Sequence, residues 1–218
     1  MSAAAYTVIT LPVGSLDTNC YLVAARATGV ALCIDPGADA AGIARRAQQE
    51  NMTVQGIALT HGHGDHIGAV ARLRKEWNVP VYIHTDDADM LTSAARNLSV
   101  LLGAHIETDA ADATVDDDTT LTFGDTTVRV LHTPGHTPGG VCYFIGAATP
   151  PLLFSGDTLF QREVGRCDLA GGRWPALQRS IREKLYVLPA ATCVFPGHGP
   201  ATTIAEEMQE NPHVRAEA

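Results

Sequence analysis

Thr60-His61-Gly62-His63-Gly64-Asp65-His66 places three imidazoles and a carboxylate within six positions, directly after the apolar run Ile57-Ala58-Leu59. A short apolar run bounded by glycine reads as a buried strand. The His-rich segment is then the turn at that strand's C-terminal end, leading into a helical pattern from Ile67 to Trp77. Layered α/β sheets bind ligands at the carboxyl ends of their strands, because the loops converge there. Four good metal donors on one short, glycine-loosened turn cannot all face one ion. His61 and His63 alternate to one side, and Asp65 and His66 reach the other, which implies two adjacent metals. The ordinary alternative is a solvated His-rich loop that takes up metal adventitiously. It leaves three later donors unexplained: His136 in Thr133-Pro134-Gly135-His136, Asp157 in Phe154-Ser155-Gly156-Asp157, and His198 in Phe195-Pro196-Gly197-His198. Each follows an apolar run and a glycine, a setting for another strand-end turn.

Around that motif the chain of 218 residues is long enough to bury a full core. Hydrophobic residues make up 45% and charged residues 18%, an ordinary globular balance that excludes extended disorder. A net charge of −9 and a pI near 5.4 count against nucleic acid, which normally meets a basic face. They allow an anionic small substrate, since bound metals reverse the local sign. The opening Met1-Ser2-Ala3-Ala4-Ala5-Tyr6 lacks the charged and apolar regions of a leader. No apolar stretch reaches the roughly 20 residues of a membrane span. Cys20, Cys33, Cys142, Cys167 and Cys193 form no CxxC pair, and such a scattered, odd set fits buried free thiols in a reducing cytoplasm. Nothing in the chain requires a protein partner.

In order, Tyr6 to Thr10 reads as a strand turned by Leu11-Pro12-Val13-Gly14, and Cys20 to Ala25 with Val30 to Ile34 as a hairpin. Asp35 then either orients a metal-bound histidine or caps the next helix. That helix, Ala38 to Asn51, buries Ile43, Ala44 and Ala47 on one face. Val54 to Leu59 feeds the metal loop, and Val79 to Ile83 forms another strand after the helix of Val70, Leu73 and Trp77. The alternation favours a layered α/β fold. Asp86 to Leu102 is mixed and helical, and acidic Glu107 to Asp118 reads as a solvated linker between two halves of one domain spanning 1–218. Strands follow at Thr120 to Phe123, Thr126 to Leu131, Val141 to Ile145 and Leu152 to Phe154. A late helix carries Trp174, Leu177, Ile181 and Leu185, and Thr192 to Phe195 is the final strand. His132 reads as a packed residue, and His84, His105 and His213 lack companion donors. Without a G-x-S-x-G elbow or a Walker loop, serine-hydrolase and nucleotide-triphosphate chemistry lose support.

The motifs resemble the metallo-β-lactamase superfamily, most closely its short bacterial glyoxalase II (hydroxyacylglutathione hydrolase) branch. The resemblance runs through Asn19-Cys20-Tyr21-Leu22, Ile34-Asp35-Pro36-Gly37, the His61 motif, His136, Phe154 to Phe160, Val164 to Leu169, and the ending Gly197 to Thr203. It implies a four-layer αββα sandwich, two mixed β-sheets with helices on the outer faces. It further implies His61, His63 and His136 on one metal, Asp65, His66 and His198 on a second, and Asp157 bridging both. Full-length glyoxalase II adds a C-terminal helical domain that contacts glutathione. Here twenty residues with Glu206, Glu207 and Glu210 follow His198, so no such domain is expected, and Cys167 replaces a usual threonine.

Imidazole and carboxylate donors suit zinc, with iron or manganese as alternatives. A carboxylate-bridged pair of divalent ions lowers the pKa of water and polarises a carbonyl, so hydroxide attack is the expected chemistry, with Asp65 as ligand and catalytic orienter. A thiolate leaves with little acid help because its pKa is about 8.5, which favours a thioester, hydroxyacylglutathione being the branch's substrate. Arg162, Arg166 and Arg173 follow Asp157 and are candidate substrate cations, though Arg166 fits an ion pair with Asp168 equally well. A mononuclear-iron persulfide dioxygenase, a lactonase and a non-enzymatic binding module are the competing readings. The last would have to explain seven donors in four suitable turns.

Overall fold

The computed structural model describes residues 5–215; Met1 to Ala4, part of the stretch read as leaderless, and residues 216–218 lie outside them. A first sheet holds β1 (Tyr6–Val13), β2 (Thr18–Ala25), β3 (Val30–Ile34), β4 (Thr53–Ala58), β5 (Val81–His84) and β6 (Ala113–Val115), adjacent in that order. The first three strands pair antiparallel through short turns, and from β3 to β6 the pairing is parallel. Parallel neighbours need crossover connections. The helix α1 (Ala40–Gln49) supplies the first, and α2 (Gly64–Ile67) with α3 (Val70–Trp77) the second. Asp39 caps α1, its carboxylate accepting from the Gly42 amide at 3.0 Å.

The second sheet contains β7 (Thr120–Phe123), β8 (Thr126–His132), β9 (Val141–Ile145) and β10 (Leu152–Gly156). It is completed, beyond a small hairpin of β11 (Leu159–Phe160) and β12 (Glu163–Val164), by β13 (Cys193–Pro196) and β14 (Thr202–Thr203). Its order is β14-β13-β10-β9-β8-β7, a meander from β7 to β10 followed by a parallel step to β13. The crossover of that step is α4 (Trp174–Ser180), which continues as a wider π turn over Ile181–Leu185; α5 (Ile204–Glu210) ends the chain's regular structure.

The four layers follow from strand alternation. On β2, Cys20, Leu22 and Ala24 face outward and pack with Ile43 of α1 and Leu73 of α3. Tyr21 and Val23 face inward and pack with Val130, Tyr143 and Phe154 of the second sheet. Leu153 and Cys142 face the other way, against Leu177 and Ile181. Both sheets are therefore covered on both faces, which is why their strands read as continuous apolar runs. Phe154, fully buried between the sheets, is a point where truncation to alanine should cost about 3–5 kcal/mol.

Four expectations are corrected. β1 runs on to Val13, because Pro12 lies on an edge strand, where its missing N–H disrupts no sheet. The acidic linker contains β6, anchored where Asp112 accepts from the Val81 amide at 2.8 Å and from Arg74 at 2.6 Å. β13 is followed by β14 and α5, so the chain does not end on it. Trp174 is 39% exposed, leaving Leu177, Ile181 and Leu185 as the packed face of the late helix.

Candidate metal centre

All four donor-bearing loops leave their strands at one edge of the sandwich. The His61 loop follows β4, the His136 loop lies between β8 and β9, Asp157 follows β10, and His198 follows β13. Parallel β10 and β13 set Gly156 beside Pro196, and the Gly197 amide donates to Gly156 at 2.8 Å, so Asp157 and His198 emerge side by side. Gly156 has φ +48°, a left-handed bend that a side chain would strain, and it swings Asp157 off the strand. A Cβ on Gly197 would lie 2.2 Å from Asp157 Oδ1 and 2.8 Å from the His66 ring. The two sheets are pinned at this edge. The Tyr21 hydroxyl donates to Pro196 O at 2.6 Å, Asn19 Nδ2 donates to Pro196 O and Gly199 O at 3.0 and 2.8 Å, and the Tyr143 hydroxyl donates to Leu59 O at 2.8 Å.

Hydrogen bonding fixes which nitrogen His61, His66, His136 and His198 turn inward, four of the five imidazoles here. His136 Nδ1 lies 2.8 Å from Arg166 O, and His198 Nδ1 lies 3.0 Å from Leu16 O. A carbonyl only accepts, so both Nδ1 atoms carry hydrogen and both Nε2 atoms present lone pairs. His66 Nδ1 donates to Asp35 Oδ2 at 3.0 Å. The Thr60 hydroxyl donates to the same Asp35 oxygen at 2.6 Å, so it can only accept from His61 Nδ1, 3.1 Å away. Asp35 thus sets two imidazoles through one carboxylate, and it also accepts from the Thr60 amide at 2.8 Å. Helix capping falls to Asp39 instead.

The inward atoms form two groups. His61 Nε2 and His136 Nε2 each lie 3.0 Å from His63 Nδ1. Ligand nitrogens on a tetrahedral zinc with bonds of about 2.0–2.1 Å stand roughly 3.3 Å apart, so this trio matches one ion closely. In the second group His66 Nε2 is 3.5 Å from Asp65 Oδ2, and His198 Nε2 is 3.3 Å from the same oxygen. Asp157 lies between the groups, Oδ2 being 3.5 Å from His136 Nε2 and Oδ1 3.5 Å from His66 Nε2. Buried His66 Nε2 and Asp157 Oδ1 have no hydrogen-bond partner. Lone pairs turned toward carboxylates repel unless a positive charge lies among them. The donor set therefore fits divalent cations.

The two groups differ in proton affinity. Burial, then the His66, His63 and His136 rings, push the His61 imidazole well below its ordinary value. His63 is lowered to about 3 by burial and by His136 and His66. Burial alone would also lower His66, but Asp65, Asp157 and Asp35 outweigh it and raise that imidazole to about 10. For His198, too, burial is outweighed, by the Asp65 hydrogen bond and the Asp157 charge, and the direction is upward. Asp65 is held well below the usual carboxylate range, since His66, His198 and the Thr18 hydroxyl overcome its burial. His61 and His63 favour the neutral form, whereas His66 and His198 are drawn toward the charged one.

All seven donors named in the sequence, His61, His63, Asp65, His66, His136, Asp157 and His198, converge on this one centre. His132 stays outside it, stacked on His84 at 4.0 Å and donating from Nε2 to Pro138 O at 2.9 Å. The expectation that His84 has no companion donors is corrected, since His132 and Asp86 lie beside it. Arg166 chelates Asp168 at 2.7 and 2.8 Å. Sequence reading missed Thr18, whose hydroxyl donates to Asp65 Oδ2 at 3.0 Å. It also missed buried Asp87, which accepts from the Gly139 amide at 2.7 Å and the Gly62 amide at 3.3 Å and so ties the His136 loop to the His61 loop. Backbone N–H partners carry no residue identity, so no pattern signals such a role.

Comparison with known proteins agrees with this geometry. The family described as the metallo-β-lactamase superfamily matches residues 13–198. The Bacillus subtilis protein named "Probable metallo-hydrolase YqgX" is 39% identical over 93% of this chain and 94% of its own. The Haemophilus influenzae hydroxyacylglutathione hydrolase GloC is 30% identical over 95% of this chain and 98% of its own. Among solved structures, the BLEG-1 B3 metallo-β-lactamase superposes with a TM-score of 0.91 at 40% identity, covering 96% of this chain and 100% of that one. TTHA1623 in a di-iron-bound form gives 0.83 at 36% identity over 95% and 100%.

Proposed function

This chain belongs to the metallo-β-lactamase superfamily and is a metallo-hydrolase, and from that premise we propose that its substrates are thioesters, with hydroxyacylglutathione as the reference compound. One observation carries the reading. The cavity beside the donors is lined, outside the donor set, by a single acid and a single Lys or Arg among the described residues. Glu163 is paired with His213 at 2.7 Å, and Arg166 with Asp168. Neither is free to protonate a leaving group. A thiolate, of pKa about 8.5, needs no such proton, whereas an amine or alkoxide does. GloC, the relative named as a hydroxyacylglutathione hydrolase, supports the same class.

His61, His63 and His136 would hold one divalent ion, Asp65, His66 and His198 the other, with Asp157 between them. Bound there, two ions supply acidity to water and positive charge to a developing oxyanion. The chain's own work is placement. Asp65 stays ionised and is held by Thr18, so its second oxygen can accept a hydrogen bond from the attacking water and fix its orientation. Asp35 and the Arg166 and Leu16 carbonyls keep the imidazoles in the required tautomer. In the overall step a C–O bond forms and the C–S bond breaks, giving a carboxylate, a thiol and one released proton.

We keep zinc as the proposed metal, while the di-iron relative makes iron the first alternative. A small-molecule thioester is the proposed partner, without nucleic acid or membrane. No helix among the described residues is long and apolar enough to cross a membrane, and five unpaired cysteines fit a reducing cytoplasm. The deciding experiment assays lactoylglutathione hydrolysis, a β-lactam, a lactone and oxygen uptake on glutathione persulfide in parallel, with the metal content measured. Hydrolysis of the thioester at close to two metals per chain supports the reading. Turnover confined to the β-lactam, the lactone or the persulfide would replace it.

A further inference from the structure

The cavity over the donors has a volume of about 760 Å³, with His63, Asp65, His136, Asp157 and His198 at its base. Its walls are largely apolar, with Leu16, Leu98, Leu101, Phe160 and Leu169 beside the polar Asn97, Gln161, Glu163 and Arg166. Leu16 is 47% exposed and Leu101 70% exposed, so these side chains face water where nothing in the sandwich needs them. Exposed apolar surface concentrated at one place marks a binding site. Leu98 has φ +62°, a left-handed conformation that is an outlier for a bulky residue. Asn97 enforces it, donating from Nδ2 to Met90 O and Ile106 O at 3.0 and 2.7 Å and accepting from the Ser99 amide at 3.0 Å. The Asn97 carbonyl also accepts from the Gly64 amide at 2.8 Å, fastening this loop to the His61 motif. Strain held by so many contacts beside a reaction centre points to a positioned wall.

The same walls offer little to a charged ligand. Arg166 is the one Lys or Arg among the described lining residues, and its guanidinium is engaged by Asp168. Arg162, another of the cations singled out in the sequence, pairs with Glu210. Peptide thiols such as glutathione carry several charges, so the arm of a thioester that these walls suit is the acyl arm.

Resting on the thioester reading, we infer that this cavity selects an uncharged, apolar acyl chain, so that specificity lies in the acyl group rather than in the thiol. Apolar burial strengthens with each methylene that leaves water. With the metal-loaded protein and N-acetylcysteamine thioesters of two to eight acyl carbons, kcat/KM should rise about threefold per methylene until the cavity is filled. Leu101→Ser, at an exposed position that tolerates the change, should flatten that slope. A wild-type series that is flat or falling, or a slope unchanged in Leu101→Ser, would overturn the inference. If no thioester is cleaved at all, the thioester reading fails by itself. Calorimetric titration of the metal-loaded protein with acetate, butyrate and hexanoate still decides the apolar arm: affinity increasing with chain length supports it, and equal affinities defeat it.

Discussion

The two donor groups lie a few ångströms apart and obey opposite electrostatics. His61, His63 and His136 are three imidazoles in a buried corner, two of them turned by bonds to Thr60 and to the Arg166 carbonyl. Asp65, His66 and His198 sit beside carboxylates, and there the imidazoles are drawn toward the charged form. Burial acts on both groups in the same direction. The difference comes chiefly from Asp65, beside His66 and His198, and from Asp35, bonded directly to His66, while Asp157 lies between the groups. A site built on three imidazoles and one that adds Asp65 to two imidazoles differ in donor type and in proton competition.

The largest break in this contrast should come from Asp157→Ala, since Asp157 touches both groups and offsets repulsion between two cations. We expect kcat to fall on the order of 10³-fold or more, with metal content dropping from about two toward one or less. Retention of both ions at the wild-type rate would rule out the bridging role. His213→Ala, outside both groups, serves as the control and should leave both readouts at wild-type values.

Asp35→Asn should act more mildly, reducing metal affinity by about 10–100-fold. The loss should be greater at the His66 side, where Asp35 takes the Nδ1 hydrogen directly, than at His61, which it reaches through Thr60. Competition titrations with a chromophoric chelator would resolve the two sites. Equal losses would mean that the Asp35-Thr60-His61 chain is as strong as the direct bond.

Uptake of the second ion should also depend on pH. His66 is raised to about 10, so near neutrality it holds a proton that an incoming cation must displace. Its site should therefore weaken by about tenfold for each pH unit lost. His63, lowered to about 3, has no proton to give up near neutrality, so uptake at its site should depend less steeply on pH. Calorimetry in buffers of different ionisation enthalpy measures the released proton. The same number of protons from both sites would erase the contrast.

The smallest effect belongs to Thr18→Ala. It removes one hydrogen bond from Asp65 and should lower kcat/KM between a few-fold and about tenfold, with metal content at the His61 trio unchanged. A loss as large as that of Asp157→Ala would show that Thr18 has a role beyond steadying Asp65.

Much of this molecule is legible in one dimension because its signals are local. Alternation on β2 and the runs into β4, β10 and β13 mark strands buried on both faces, and a glycine before each of the later donors marks the turns that follow. Imidazoles at such turns announce metal chemistry through residue type alone. Acidic composition, by contrast, misled the reading of residues 107–118, because β6 buries only Val115 and is held mainly by backbone pairing and by Asp112.

Sequence by itself therefore pointed to the layered α/β class, most of the strands and the seven candidate donors, since each depends on neighbours a few residues away. Tertiary structure alone supplied the contacts that orient the two trios, because Asp35 meets His66 across thirty-one positions and His136 meets His63 across seventy-three. It also decided the tautomers, set by the carbonyls of Arg166 and Leu16, and the service of Asp87 to two distant loops. Those roles are played through backbone groups that every residue possesses. Only the folded path of the chain says which of them comes within hydrogen-bonding reach.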